Sequence, residues 1–357
     1  MSRMLLISSN CVHLCNYYDL INNCFEDILV VTNGNENKIN NTIFIRFSLK
    51  NPFYFIKSII KIRKIINDYK PDIIHCHQIN VVSLVTVIAK KISKLKNVPV
   101  VATAWGSDIL VNPRECILHK IIISYTLNNI NIITSDSLFL SYEIKNIFKK
   151  QNLNIKIANF GVEFLTNQQE PQKENIIYSN RLHKKMYNID KIIIGFKNFL
   201  EKSKNNNWTL IIAADGPETQ KYKKIVEELN LSSKIKFVGF LTKEVNIGYY
   251  KKSKIFISIP ENDATSISLL ESMYYGCIPI VSNLPANMEW IIDGLNGIIN
   301  ENPLSLDESI FRALYMNYDY CTEINRKIIK LKASKDVNRK LYIDIYEKLL
   351  GNSLCKK

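Results

Sequence analysis

Residues 255–299 read IFISIPENDATSISLLESMYYGCIPIVSNLPANMEWIIDGLNGII. The apolar run IFISI ends at Pro260 and the polar loop ENDATSIS follows; a helix is predicted from about Ser266 until Gly276 closes it. CIPIVSN (277–283) then starts a new apolar strand. Neither run alternates with polar residues, so both faces of each strand are expected to be covered. Strand, helix and strand in that order are the unit of a parallel sheet.

The same pattern extends in both directions. MLLIS (4–8), DILVVT (27–32), TIFIRF (42–47), DIIHCH (72–77), VPVVATA (98–104) and NIITSD (131–136) are predicted strands of a first half. NIIYSN (175–180), WTLIIAADG (208–216), KIKFVGF (234–240) and KIFISIP (254–260) join CIPIVSN in a second. Helices are predicted between them, among them FYFIKSIIKIRKIINDY (53–69), IDKIIIGFKNFLEKS (189–203) and ETQKYKKIVEELN (218–230). The polar segment 157–175, with Gly161 and Pro171, separates the two blocks. The expected class is therefore α/β, with Rossmann-like domains at 1–165 and 166–357 and a ligand cleft facing the carboxyl ends of their strands. A last helical stretch, about 325–350, ends at Gly351.

The 357 residues are 46% hydrophobic and 10% aromatic, which supports two cores and excludes wholesale disorder. Lys and Arg number 47 against 33 Asp and Glu, a net +14 that favours anionic partners without choosing among them. Splitting the chain at Leu165 gives +8 (19 basic, 11 acidic) before it and +6 (28 and 22) after it. No nucleic-acid stripe or module emerges, so no nucleic-acid partner is expected. Neither a P-loop nor a Gly-x-Gly-x-x-Gly fingerprint occurs. The eight cysteines are scattered without a Cys-x-x-Cys pair, which argues against a zinc ribbon or a redox motif. No signal-like start and no apolar run of about 18 residues is present, so the expectation is a reduced, cytoplasmic protein.

Charge gathers most between Lys50 and Lys70, where Lys50, Lys57, Lys61, Arg63, Lys64 and Lys70 face Asp68 alone. Phe53, Tyr54, Phe55 and Ile56 stand beside them. Two readings stay open: a helix packed on the sheet with a solvated lysine face, or one resting on an anionic bilayer. The second would make the protein peripheral on the inner face of the cell membrane.

In the opening stretch, Thr265, Ser266, Ile267 and Ser268 form a helix start after a strand, where free N–H groups and the helix dipole suit a phosphate. Asp263 and Glu271 lie eight residues apart, about two turns if the helix already holds at the loop. A carboxylate at Glu271 can accept from ribose hydroxyls, and Asp263 can reach a sugar. The plain alternative is an N-cap followed by a solvated Glu.

DATSISLLE followed by SMYYGCIPIVS resembles the signature of the GT-B glycosyltransferases of family 4: an acidic residue, seven residues, Glu, a small-residue turn and a Pro-containing strand. Asp263 stands where Glu is usual. Glu289, Gly294 and Gly297 in NMEWIIDGLNG are similar to the family's following segment. SNRLHKKMYNID (179–190) resembles the loop whose Arg and Lys hold the donor diphosphate. Arg181 matches the Arg, and either Lys184 or Lys185 the Lys. Cations there stabilise charge developing on the departing phosphate. AADGPET (213–219) resembles the Gly-Asp-Gly-Pro turn, and VGFLTKEV (238–245) the segment whose Val238, Gly239 and Phe240 sit by the nucleotide base.

The amino-terminal half departs further from the family. SSNCVHLC (8–15) has no glycine where a Gly-Gly loop is common. TAWGSDIL (103–110) resembles Thr-x-His-Gly-x-Asp, with Trp105 in place of His; an indole can stack on a sugar but cannot shuttle a proton. HCH (75–77) matches the family's His-x-His, for which a packed pair is favoured over a metal site. The resemblance places Ser9, Asn10, His77, Trp105, Gly106 and Asp108 at the acceptor side or cleft rim. It implies the GT-B fold, with the last helix crossing back to the amino-terminal domain. It also implies a retaining transfer from a nucleotide sugar to a hydroxyl of a glycan or lipid-linked acceptor, with Arg181, Asp263 and Lys184 or Lys185 at the reaction. No cofactor and no metal is expected, and the absence of Asp-x-Asp accords with that. A sugar-nucleotide epimerase or a non-catalytic partner subunit of the same fold are the alternatives.

Overall fold

A computed structural model of the chain describes residues 2–34, 39–164, 171–203, 207–351 and 354. It falls into two compact units, Met1–Gly161 with Lys335–Lys357, and Val162–Ser334. The boundary expected at 165/166 lies outside the described residues, and the division comes a few residues earlier.

In the first unit the chain runs β1 (Arg3–Ser8), α1 (Val12–Ile21), β2 (Asp27–Thr32), β3 (Thr42–Phe44), α2 (Pro52–Tyr69), β4 (Ile73–His77), α3 (Val81–Lys91) and β5 (Val100–Thr103). It continues through α4 (Ser107–Leu110), α5 (Asn112–Glu115), α6 (Ile117–Leu127), β6 (Ile132–Ser135), α7 (Leu138–Phe148) and β7 (Ile155–Ile157). The strands pair in the order β3-β2-β1-β4-β5-β6-β7, every pair parallel. β1 and β4 are therefore the switch point. Crossovers to β2 and to β5 run in opposite directions, and right-handedness puts their helices on opposite faces. Accordingly α2, α3 and α6 pack in a row, while α1 meets a helix from the far end of the chain, α15 (Lys335–Leu350).

The second unit comprises β8 (Glu174–Ser179), a 3-10 turn (Lys185–Tyr187), α8 (Ile189–Lys202), β9 (Thr209–Ala213), α9 (Thr219–Glu228), β10 (Ile235–Gly239) and α10 (Lys243–Lys252). β11 (Ser253–Ser258), α11 (Ile267–Tyr274), β12 (Ile278–Ser282), α12 (Pro285–Met288), β13 (Ile298–Asn300), α13 (Leu306–Leu314) and α14 (Tyr318–Lys332) complete it. Its order, β10-β9-β8-β11-β12-β13, repeats the first topology, and its pairs are also parallel. Ile177, Ile212, Ile257 and Ile280 on the strands and Ile192, Phe196 and Ile310 on the helices form one buried cluster. Tyr178, Ile211 and Phe256, which alternate with these strand residues, form a second buried cluster with Ile247 and Tyr250 of α10, so the sheet is covered on both sides.

The sequence is corrected in two places. TIFIRF pairs only over Thr42–Phe44. The single helix expected over about 325–350 is two: α14 packs on α11, and only α15 joins the first unit. The break falls at Ala333–Ser334, where Val162 donates its N–H to Ala333 O (2.6 Å) and bridges to Ser334. Among the described residues no helix is long and apolar enough to cross a membrane.

Candidate active site

In the second unit, β8 and β11 are neighbours whose crossovers diverge, which opens a crevice at their carboxyl ends. Arg181 leaves β8 there. Its Nη2 is 2.6 Å from Asp263 Oδ2, its Nη1 donates to Ser266 Oγ, and its guanidinium carbon lies 4.6 Å from the centre of the Tyr187 ring. The side chains of Arg181 and Asp263 are only 11% and 21% exposed. Burial pushes the Asp263 carboxyl up while Arg181 pulls it back. Burial works against the Arg181 charge too, but Asp263 and Tyr187 raise it overall, so the guanidinium stays ionised. Two residues expected to hold different parts of a donor are joined to each other.

α11 begins where the sequence places it, with Ser266 at the N-cap position, but that hydroxyl accepts from Arg181 and makes no bond to its own helix. The N–H groups of the first turn, at Ile267 and Ser268, have no partner within the helix. Thr265 is buried, its hydroxyl accepting from Trp290 Nε1 at 3.3 Å. Asp263 stays in the loop before the helix.

Glu271 lies one turn into α11. Asn246 Nδ2 on α10 is 3.4 Å from Glu271 Oε2, and Asn246 Oδ1 accepts from Tyr178 OH and from Asn180 Nδ2 (3.0 Å). Asn180 also donates to Tyr250 OH at 2.8 Å. Burial pushes the Glu271 carboxyl up to about 7, against Lys243 and Tyr250, which lower it. Asn180 Oδ1 and Ser179 Oγ are buried without a partner, an arrangement that costs free energy unless a ligand completes it. Sequence reasoning missed Asn180, Asn246 and Tyr250, which bear on Glu271 only through folding.

A second support holds the Arg181 loop. His183 is fully buried, with Nδ1 2.7 Å from Thr219 Oγ1 and Nε2 3.3 Å from Ala213 O. A Cβ on Gly216 would lie 2.6 Å from His183 O, so AADGPET is closed against this loop and admits only glycine there. Ala214 in the same turn has φ +71° and donates to Gly239 O at 2.7 Å. Ala214→Gly is expected to relieve that strain and raise the unfolding free energy by about 0.5–1 kcal/mol; an unchanged or lower urea midpoint would contradict it. Lys184 and Lys185 are both exposed, as is Phe240; Val238 and Gly239 end β10.

In the first unit, Ser9 Oγ donates to Gln78 Oε1 across the switch point (2.9 Å), and Asn10 N–H donates to Asn33 Oδ1 (2.8 Å). Two of the residues expected at the acceptor side or cleft rim are buried. Asp108 is buried, its carboxylate accepting the N–H groups of Ile79 (2.8 Å) and Trp105 (3.0 Å); it clasps the turn that opens α4 after Gly106. His77 is also fully buried: Trp105 Nε1 donates to its Nδ1 at 3.2 Å, and Nε2 has no partner. His75 is bound to protein through both nitrogens, by Tyr17 and Tyr346 (2.7 Å each) and Thr103 (2.8 Å). Burial pushes both imidazoles down, so the pair is neutral packing beneath the loops. Trp105 is half-buried.

Known proteins are similar to this chain in sequence and in fold. The family model described as glycosyl transferases group 1 matches residues 163–330, and one described as glycosyl transferase 4-like matches residues 4–137. The alpha-monoglucosyldiacylglycerol synthase of Streptococcus pneumoniae is 22% identical over 209 residues, 58% of this chain but only 45% of that protein. The match thus spans less than half the relative's length. A glycosyltransferase from Rickettsia africae superposes with a TM-score of 0.80 at 17% identity, covering 99% of each chain. Anabaena Alr3699/HepE in complex with UDP-glucose gives 0.78 at 11% identity, over 98% of this chain and 100% of its own. With one family model on each sheet and the GT-B fold in both solved structures, the chain belongs to the group 1 glycosyl transferases, the GT-B glycosyltransferases of family 4.

Proposed function

We propose that this protein is a retaining glycosyltransferase that works without a metal, moving a sugar from a nucleotide-sugar donor to a hydroxyl of a glycan or lipid-linked acceptor in surface glycoconjugate synthesis. The observation that carries it is Arg181, held at the carboxyl end of β8 beside Asp263 and the first turn of α11. A diphosphate set there meets a guanidinium, the N–H groups of Ile267 and Ser268, and the ammonium of Lys184 or Lys185. These are the charges a departing nucleoside diphosphate needs. Glu271 accepts from the ribose hydroxyls, Val238, Gly239 and Phe240 border the base, and Asp263 passes from Arg181 to the donor sugar. The acceptor is taken up by the first unit, near Ser9, Asn10 and Trp105. Two similar proteins support this choice of chemistry: one is named for glucolipid synthesis and the other is in complex with UDP-glucose. The setting we propose is cytoplasmic, where free thiols such as Cys76 and Cys277 remain reduced.

A thermal-shift panel of nucleotide sugars, followed by detection of released nucleotide, tests the reading. At least one donor is expected to raise the melting temperature and to be turned over with an added glycan or lipid acceptor. A response to no donor would sink it in favour of a non-catalytic subunit, and interconversion of the sugar without an acceptor would make it an epimerase.

A further inference from the structure

A second cluster of cations lies in the first unit, at the free edge of its sheet. α2 starts there because Asn51 Oδ1 accepts from Tyr54 N–H (3.2 Å) and Pro52 presets the first turn. Its inner face buries Ser58, Ile62 and Ile66. Its outer face exposes Phe53 (65%), Ile56 (57%) and Ile60 (57%), one stripe at helical spacing. Lys57, Lys61 and Lys64 flank this stripe on one side and Arg63 on the other, all exposed. Where α2 meets the end of β3, a cavity of about 300 Å³ is lined by Phe44, Arg46, Tyr54, Lys57 and Lys61, with no acidic side chain in its wall. Arg46 lies over the Tyr54 ring at 4.5 Å, and Phe44 is 47% exposed.

Three cations around one hollow repel each other unless an anion joins them, and a guanidinium flanked by ammonium groups suits a phosphate. Apolar side chains in water beside that hollow cost free energy unless a nonpolar phase covers them. One occupant meets both demands. We propose that α2 and the end of β3 dock on an anionic phospholipid bilayer, a lipid phosphate entering the Arg46–Lys57–Lys61 pocket while Phe53, Ile56 and Ile60 enter the acyl boundary. The surface belongs to the first unit and its test reads vesicle binding alone, so it goes beyond the donor reading and does not depend on it.

The full-length protein is sedimented with phosphatidylcholine vesicles containing or lacking phosphatidylglycerol. Wild type is expected to bind only the anionic vesicles. Each cation near such a surface strengthens binding roughly fivefold, so Arg46→Glu/Lys57→Glu/Lys61→Glu is expected to lose about a hundredfold or more. Phe53→Ser/Ile56→Ser/Ile60→Ser should lose about tenfold or more, with both variants melting near wild type because every substituted side chain is exposed. Lys223→Glu/Lys224→Glu, on α9 of the second unit, should bind as wild type does. Equal binding to phosphatidylcholine alone, full binding by either test variant, or an equal loss in the α9 control each overturns the proposal. So does a soluble occupant: inorganic phosphate displacing the protein while the apolar variant binds normally.

Discussion

Arg181→Ala is expected to lower kcat by about two to three orders of magnitude, the usual cost of removing one donor aimed at charge that develops during transfer. The fold should survive. The substitution leaves Asp263 without its partner in a site where that carboxyl is only 21% exposed, a cost of about 1–3 kcal/mol. Burial already pushes Asp263 up, so the orphaned group can take a proton and escape part of that cost. Arg181→Ala/Asp263→Ala should therefore regain most of the lost stability and none of the activity. Turnover and urea midpoints, measured on both variants, separate catalysis from folding; wild-type turnover in Arg181→Ala would refute the assignment.

Glu271→Gln is expected to weaken donor binding and, at alkaline pH, to stabilise the protein. A carboxylate hydrogen-bonded to ribose hydroxyls contributes about 1.5–3 kcal/mol, so donor affinity should fall roughly 10- to 100-fold. Burial pushes this carboxyl from 4.5 up to about 7. The raised value means that the folded protein prefers the protonated form. Below 4.5 both states hold the proton and nothing is lost; from there to about 7 stability falls as pH rises, and the full penalty stands above 7. Gln never ionises, so the variant should match wild type near pH 4 and exceed it at pH 8 by on the order of 2 kcal/mol, discounted for partial exposure. Wild-type donor affinity should also drop as pH falls below 7, while that of the variant stays flat. Melting curves at the two pH values that show the opposite order would contradict this account.

How much of this could be read from the chain depended on distance along it. β1, β2 and β8 each hold an unbroken apolar run and were legible, as was the start of α11, because a strand, a polar loop and small residues lie side by side. β7 and β13 were not: each pairs over three residues at a sheet edge, too few for a pattern to form. Arg181, Asp263 and Glu271 stood out through the resemblance, yet the ion pair between the first two joins residues 82 positions apart and has no local sign. His183 looked like one more polar residue in a basic loop, since its partners Ala213 and Thr219 come from the next strand and helix. Asp108 stood out through the resemblance alone, and that one of the two N–H groups its carboxylate accepts comes from Ile79, 29 positions earlier, has no local sign.

The return of α15 to the first unit also sets an order of assembly. Residues 162–334 form their unit from one continuous stretch and can close as soon as that stretch has left the ribosome. The first unit has to wait. Tyr342 and Tyr346, both fully buried, pack around Tyr17 and His75, so the core begun by α1 and β4 is finished only by a helix that follows the whole second unit. The unit begun before its neighbour is completed after it, and until then Tyr17 and His75 lack the two tyrosines that pack against them.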